Sequence, residues 1–400
     1  MLDQLKRFSE RVLNIEGSKA GEMAERAASL VKAGHKDVIS LAVGEPGFNS
    51  PEVVKEAAKK AIDENRTQYT PVDGITELKE AIIKRYQRDY KMDFIKNEVC
   101  VTTGAKHSLF NIFNCIINPS DEVIFFSPFW TSYPDMIKLT LGNPVVVKTT
   151  HHNNFQPKEK DLRDKLSSNT KVLLLNIPHN PTGATYNKET LKMIARVLAD
   201  YPGVWVISDY IYDMLYWGER PLTLLEIAPE LKFRYAIVNG VSKSYAMAGW
   251  RIGYVIAPED MVNMLKRYQS QSTSCACSIS QYAAIEALYL QRFQLCWQLS
   301  IYQERVNFCY KALMNIPKIN CLLPETTFYL FPYVQPIIDA LAFKDDLSFC
   351  FHLLETKHLA VMPGSTFGAP GYLRLSCAAD VSVLGEAMKR LADYVKQPIA

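Results

Sequence analysis

Nothing in this 400-residue chain approaches an apolar run long enough to span a bilayer, so no membrane anchoring is expected. There is no basic tract either. A formal net charge of +3 is spread over the whole length, which predicts no nucleic-acid partner. The nine cysteines, Cys275 and Cys277 among them, include no C-x-x-C pair and no metal spacing. Their odd number suits free thiols in a reducing compartment. The seven histidines form no ligand cluster along the sequence, so no metal is expected. Repeats, low-complexity tracts and flexible linkers are absent too. The stretch Met1-Leu-Asp-Gln-Leu-Lys-Arg-Phe-Ser-Glu10 has acidic residues and lacks the apolar core of a secretory signal, which predicts a cytoplasmic location.

What is present is the material of a soluble catalyst. With 48% hydrophobic and 22% charged residues, the chain can bury one large core and one smaller one. Helical periodicity predicts helices over 51–64, 75–90 and 105–117, and apolar runs predict strands over 122–126, 171–176, 204–208 and 235–239. Helices alternating with strands that lack polar alternation imply an α/β fold around a mostly parallel sheet.

The chemistry concentrates in three runs. In Asn239-Gly-Val-Ser-Lys-Ser-Tyr-Ala-Met-Ala-Gly-Trp-Arg251, small residues leave Lys243 free and place Arg251 eight positions on. A lysine becomes a covalent catalyst for carbonyl chemistry when desolvation or a nearby cation strips its proton. Arg251, always charged and fork-shaped, suits a phosphate. Upstream, Asn180-Pro-Thr-Gly183 makes a turn after the strand over 171–177, and Asp209 closes the strand before Tyr212. Asn180 and Asp209 therefore belong at the carboxyl edge of the sheet, where open α/β sheets bind ligands.

These runs occur in order with Gly44-Glu-Pro46, Tyr69-Thr-Pro-Val-Asp-Gly74, Gly104-Ala-Lys106, Ser127-Pro-Phe-Trp130, Pro363-Gly364 and Arg374-Leu-Ser376. On that ordered set the chain resembles the class I/II aminotransferases, which are fold-type I pyridoxal-phosphate enzymes, and among them most closely the bacterial aspartate aminotransferases. The resemblance covers nearly the whole chain. It implies a large domain over residues 50–289 with a mostly parallel central sheet flanked by helices. A smaller α+β domain would combine an N-terminal segment, 1–49, with residues 290–400. The helical stretch from about Ser280 to Ile316 would join the two.

The resemblance also implies roles. Lys243 would bind pyridoxal 5′-phosphate as a Schiff base and shuttle the proton at the substrate's α-carbon. Asp209 would pair with the pyridine nitrogen, so that the ring accepts electrons. Asn180 and Tyr212 would hydrogen-bond the phenolic oxygen. The phosphate would rest on backbone N–H groups of Gly104, Ala105 and Lys106 at a helix start, on Arg251, and on Tyr69 of a neighbouring subunit. A homodimer with shared active sites follows from that last role. Trp130 would cover the ring, Arg374 and the backbone of Gly44 would take the α-carboxylate, and Lys106 would reach a distal carboxylate.

Some positions depart from the family's usual pattern. Gly240 stands where many members carry a serine or threonine, Gly47 replaces a frequent aspartate, and His179 precedes Asn180 as a loop residue. Glu16 lies near where relatives that accept prephenate often carry a basic residue, which argues against prephenate. The expected reaction moves the amino group of L-aspartate to 2-oxoglutarate by a ping-pong route. The alternatives are a transaminase for aromatic, neutral or prephenate-type substrates, a lyase on the same scaffold, and a cofactor-sensing DNA-binding regulator. The regulator would need a winged helix before Gly44, and that segment carries no such motif.

Overall fold

Twelve strands run through the described residues of the computed structural model, which are 7–17 and 19–396. Residues 1–6 of the stretch read for a missing signal lie outside them. In chain order the strands are β1 (Ile39–Ser40), β2 (Val99–Thr102), β3 (Glu122–Ser127), β4 (Asn143–Lys148), β5 (Thr170–Asn176), β6 (Trp205–Asp209), β7 (Tyr235–Gly240), β8 (Gly253–Ile256), β9 (Tyr329–Leu330), β10 (Leu359–Ala360), β11 (Met362–Pro363) and β12 (Leu373–Ser376).

Seven of them form one sheet in the order β2-β8-β7-β6-β5-β3-β4. All neighbours are parallel except β8, which runs antiparallel to both β2 and β7. The absence of polar alternation in β5 now has its reason. Leu173 and Leu175 pack into a core with Leu191 and Ile194 of the helix Lys188–Ala199, whereas Val172 and Leu174 pack on the other face with Leu109, Ile112 and Phe113 of the helix Ala105–Ile116. Both faces of the strand are dry. Each leucine so buried contributes about 1.5–3 kcal/mol relative to exposure.

The predicted helices form at Glu52–Asp63, Thr76–Tyr90 and Ala105–Ile116, and the four predicted strands are β3, β5, β6 and β7, each within about two residues. β2, β4 and β8 were not among the predicted strands. β4 lies at the sheet's edge with Pro144 as its second residue, a position where a missing N–H is tolerated.

The helix expected to run from Ser280 to Ile316 is broken. One helix spans Ser278–Tyr289 and another Cys296–Met314, with extended backbone at Gln291 and a tight turn at Arg292–Leu295 between them. The break is held by side chains. Gln294 Oε1 accepts the Gln291 N–H at 2.8 Å, and the Arg292 guanidinium donates to the Tyr216 carbonyl.

A second core lies apart from the large sheet. β1 pairs in parallel with β10, and β9, β12 and β11 form a small antiparallel sheet. Leu41 and Ala42 from the first segment share that core with Leu313, Leu353 and Leu391. Among the described residues no helix is long and apolar enough to cross a membrane.

Candidate active site

Three neighbouring parallel strands, β5, β6 and β7, end together, and each delivers a polar side chain just beyond its last apolar residue. Asn176 closes β5 beside Asp209, which closes β6. The Asn176 amide donates to the Asp209 carbonyl at 3.0 Å, and its Oδ1 accepts the Asn180 N–H at 2.9 Å. Asn180 is thereby tied to the strand ends. Lys243 follows the end of β7 by three residues.

These side chains line a cavity of about 260 Å³. Gly44, Ala105, Lys106, Trp130, Asn180, Asp209, Tyr212, Lys243, Arg251 and Arg374, all marked in the sequence, reach its wall. Gly104 stands directly behind it, because a Cβ there would lie 2.4 Å from Arg251 Nη2. Tyr69 is the exception. It is 92% exposed and does not line the cavity of its own chain.

The charges are tuned by burial. Lys243 is drawn down to about 8, first by desolvation and then by the Arg374 cation, while its Nζ donates to the Gly44 carbonyl. Asp209 moves the other way, up to about 6 by desolvation, although the Tyr133 hydroxyl and the Ile211 N–H both donate to its carboxylate. The Tyr212 phenol is raised by burial and bonds the Tyr329 hydroxyl at 2.8 Å.

Arg374 enters from β12 and is buried. One terminal nitrogen donates to Asn180 Oδ1 at 3.1 Å and the other to the Ala42 carbonyl, but its Nε has no partner. Its guanidinium also lies 4.7 Å from the Tyr329 ring. A buried fork with spare donors suits a carboxylate.

The helix Ala105–Ile116 begins on Gly104, whose φ of +88° only glycine adopts readily. No side chain caps this end, so the first-turn N–H groups of Ala105 and Lys106 have no acceptor within the helix. Arg251 stands over it, and Lys106 lies 4.9 Å from the Trp130 ring with its ammonium lowered by burial and then by Arg251. Helix dipole, N–H groups and cations together make an anion site.

Several participants had no sequence signal. Tyr133 reaches Asp209 across 76 residues, and Tyr329 reaches Tyr212 across 117. Tyr329 also explains Gly44, where a Cβ would fall 2.1 Å from the tyrosine hydroxyl. The departures noted above have steric reasons. A Cβ at Gly240 would meet the Ile252 carbonyl at 2.7 Å, and one at Gly47 the Ala378 carbonyl at 1.9 Å. His179 is buried and bonds Thr182 Oγ1 at 2.7 Å within its turn, with its imidazole lowered to about 4 by desolvation. Cys275 is half-buried, Cys277 is exposed, and both are free.

Among the described residues, two histidines join a carboxylate in space: ligand atoms of His35, Asp37 and His358 all lie within 4.8 Å of one another. Sequence spacing hides this, since His358 and Asp37 are 321 residues apart. The cation's place beside Asp37 is taken, however, by the Arg390 guanidinium at 3.5 Å.

Comparison with known proteins agrees with this geometry. Residues 36–391 match the family described as aminotransferase class I and II. The chain is 39% identical over 391 residues to the aspartate aminotransferase of Geobacillus stearothermophilus, covering 98% of this chain and 99% of that one. It is 38% identical over 396 residues to the aspartate/prephenate aminotransferase of Nitrosomonas europaea, covering 97% and 100%. The crystal structure of the aspartate aminotransferase from Rhizobium meliloti superposes with a TM-score of 0.91 at 37% identity, covering 97% of this chain and 98% of that one. With fold, site and full-length similarity in agreement, the chain belongs to the class I and II aminotransferases.

Proposed function

We propose that this aminotransferase moves the amino group of L-aspartate to 2-oxoglutarate with pyridoxal 5′-phosphate as its cofactor, in two half-reactions at one site. The observation that carries the reading is the pairing of Lys243 and Asp209 on one cavity, the lysine lowered to about 8 and the aspartate raised to about 6. Two cations for two carboxylates, Arg374 and Lys106, line the same cavity. The relatives named as aspartate aminotransferases support the substrate.

The residues fit the cofactor on three counts. The uncapped helix end with Arg251 matches a phosphate, the buried Asp209 carboxylate matches a ring nitrogen, and Lys243 is an amine that sheds its proton near neutral pH. When bound, pyridoxal phosphate supplies an aldehyde for amine exchange and a ring that accepts electrons. The chain does the rest. Gly104, Ala105, Lys106 and Arg251 hold the phosphate, Asp209 keeps the ring nitrogen protonated, and Asn180 and Tyr212 hydrogen-bond the phenolic oxygen. Lys243 Nζ takes and returns the proton at the substrate's α-carbon, beneath the cover of Trp130. Arg374, with the backbone of Gly44, grips the α-carboxylate, and Lys106 reaches the distal one.

Tyr69, exposed on its own chain, would complete the phosphate site of a partner subunit in a homodimer. We assign residues 50–289 to the cofactor domain and 1–49 with 290–400 to the small domain. Because Arg251 and Arg374 come from different domains, closure on substrate would expel water from the site. A cytoplasmic location suits this chemistry.

The test is an absorbance spectrum of the purified protein with pyridoxal phosphate, before and after L-aspartate, and separately L-phenylalanine or L-alanine, without a keto acid. A band near the visible edge that aspartate discharges at low concentration is the expected result. Discharge by the neutral donors alone would overturn the dicarboxylic preference, and absence of the band would overturn the cofactor.

A further inference from the structure

Behind the cavity, with its side chain outside the wall, lies a buried carboxylate with four donors. Asp213 follows Tyr212 directly. Its Oδ2 accepts from Arg85 Nη2 at 2.5 Å, from Asn239 Nδ2 at 2.8 Å and from the Tyr90 hydroxyl at 2.9 Å, and its Oδ1 accepts from Ser244 Oγ at 3.2 Å. The Arg85 side chain is wholly buried and also donates to the Tyr254 hydroxyl at 2.8 Å.

The donors come from three places. Arg85 and Tyr90 belong to the helix Thr76–Tyr90, Asn239 is the penultimate residue of β7, and Ser244 follows Lys243. Asn239 spends its Oδ1 on the Gly240 N–H at 2.7 Å. One carboxylate thus grips the chain on both sides of Lys243, and through its own backbone it also fixes Tyr212. The segment needs such a grip. Between Gly240 and Arg251 it is irregular, with Ala246 at a φ of +51°, and a lysine held in one pose gives up its rotamer freedom.

We propose that Asp213 is a positioning residue, anchored by the Arg85 ion pair, whose bonds to Asn239 and Ser244 hold the Lys243 amine in the dry part of the cavity. The inference rests on the reading of Lys243 as the reactive amine. An amide at position 213 would serve poorly, because it removes the negative charge that the buried Arg85 guanidinium pairs with and its NH₂ could bond only a hydroxyl partner turned round to accept.

The experiment is competitive acylation of Lys243 as a function of pH in the cofactor-free full chain, read by mass spectrometry, together with the rate at which pyridoxal phosphate is captured. Ser244→Ala cuts the link to the lysine segment and leaves the Arg85–Asp213 pair intact. Tyr90→Phe cuts one link on the far side. Both are expected to fold and to lose similar melting temperature, but only Ser244→Ala should raise the apparent pKa of Lys243, by about half a unit, a roughly threefold loss of free amine at neutral pH. Asp213→Asn should enlarge the same shift. Ser244→Ala with wild-type titration and capture, or equal shifts in Ser244→Ala and Tyr90→Phe, would overturn the proposal. Should the wild type capture no cofactor while Ser244→Ala still shifts the lysine, the functional reading fails and the positioning role stands.

Discussion

The Tyr133 hydroxyl donates to Asp209 Oδ2 at 2.8 Å in a buried site, and among the described residues it is the one side-chain donor to this carboxylate. Burial pushes Asp209 up to about 6, while the bonds from Tyr133 and the Ile211 N–H pull it back toward the ionised form. An ionised Asp209 is what a ring-nitrogen proton requires. A hydrogen bond to a charged group contributes about 1.5 kcal/mol, which is about one unit of pKa.

Tyr133→Phe should therefore raise the pKa of Asp209, and the acid limb of kcat/KM for aspartate should move up by about one unit. The pH–rate profile checks this. Coincident profiles for the two proteins would mean that Asp209 owes its ionisation to something other than Tyr133.

Lys243 makes a stability prediction with a definite sign. Its folded pKa of about 8 lies below the unfolded value of about 10.4, so the folded chain disfavours the ammonium. That penalty is full below pH 8 and is relieved as pH rises from about 8 to about 10.4. In the cofactor-free protein, Lys243→Met should be more stable than wild type at pH 7, by on the order of 2–3 kcal/mol, with the gap closing toward pH 10. Denaturant unfolding at the two pH values measures it, and a gap independent of pH would contradict a desolvated lysine.

What was legible in the sequence follows from what is local. The all-apolar run of β5 announced a strand covered on both faces, and Asn180 and Asp209 could be placed at the sheet's carboxyl edge because each lies within four residues of a strand end. Tyr133, Tyr329 and the Asp213 network were invisible because they act across long separations, through hydroxyls and amides that have no periodicity. The helix break at Leu290–Leu295 was hidden for another reason. No glycine or proline marks it, and the side-chain bonds of Gln294 and Arg292 that stabilise it are made only in the folded chain. β4 was missed because half-exposed edge strands carry weaker apolar patterning than buried ones.

Lys106 lies against Trp130 at the mouth of the anion site, with no acidic partner among the described residues. If its charge meets the distal carboxylate, Lys106→Gln should cut kcat/KM for aspartate by roughly 10- to 100-fold, the worth of one charge-assisted hydrogen bond. Activity on L-alanine should stay within about twofold, because that substrate has no carboxylate to lose. Equal losses on both donors would move Lys106 from specificity to cofactor binding, and unchanged aspartate kinetics would remove it from the site.

Tyr69 gives a test of the shared site that no single-chain measurement can mimic. It is 92% exposed and outside the cavity of its own subunit, so Lys243 of one chain would have to work with the tyrosine of the other. Lys243→Ala and Tyr69→Ala proteins are each expected to be nearly inactive as homodimers. In a mixed dimer both defects fall on one site, and the second site pairs an intact Lys243 with an intact Tyr69. Unfolding and refolding the two proteins together at equal concentration should therefore restore about a quarter of wild-type activity, since half the dimers are mixed and each has one good site. Were Tyr69 to act within its own chain, every site in the mixture would lack one residue or the other, and remixing would recover nothing. Sedimentation of the mixture shows whether dimers formed, so a failure of assembly is distinguishable from a failure of sharing.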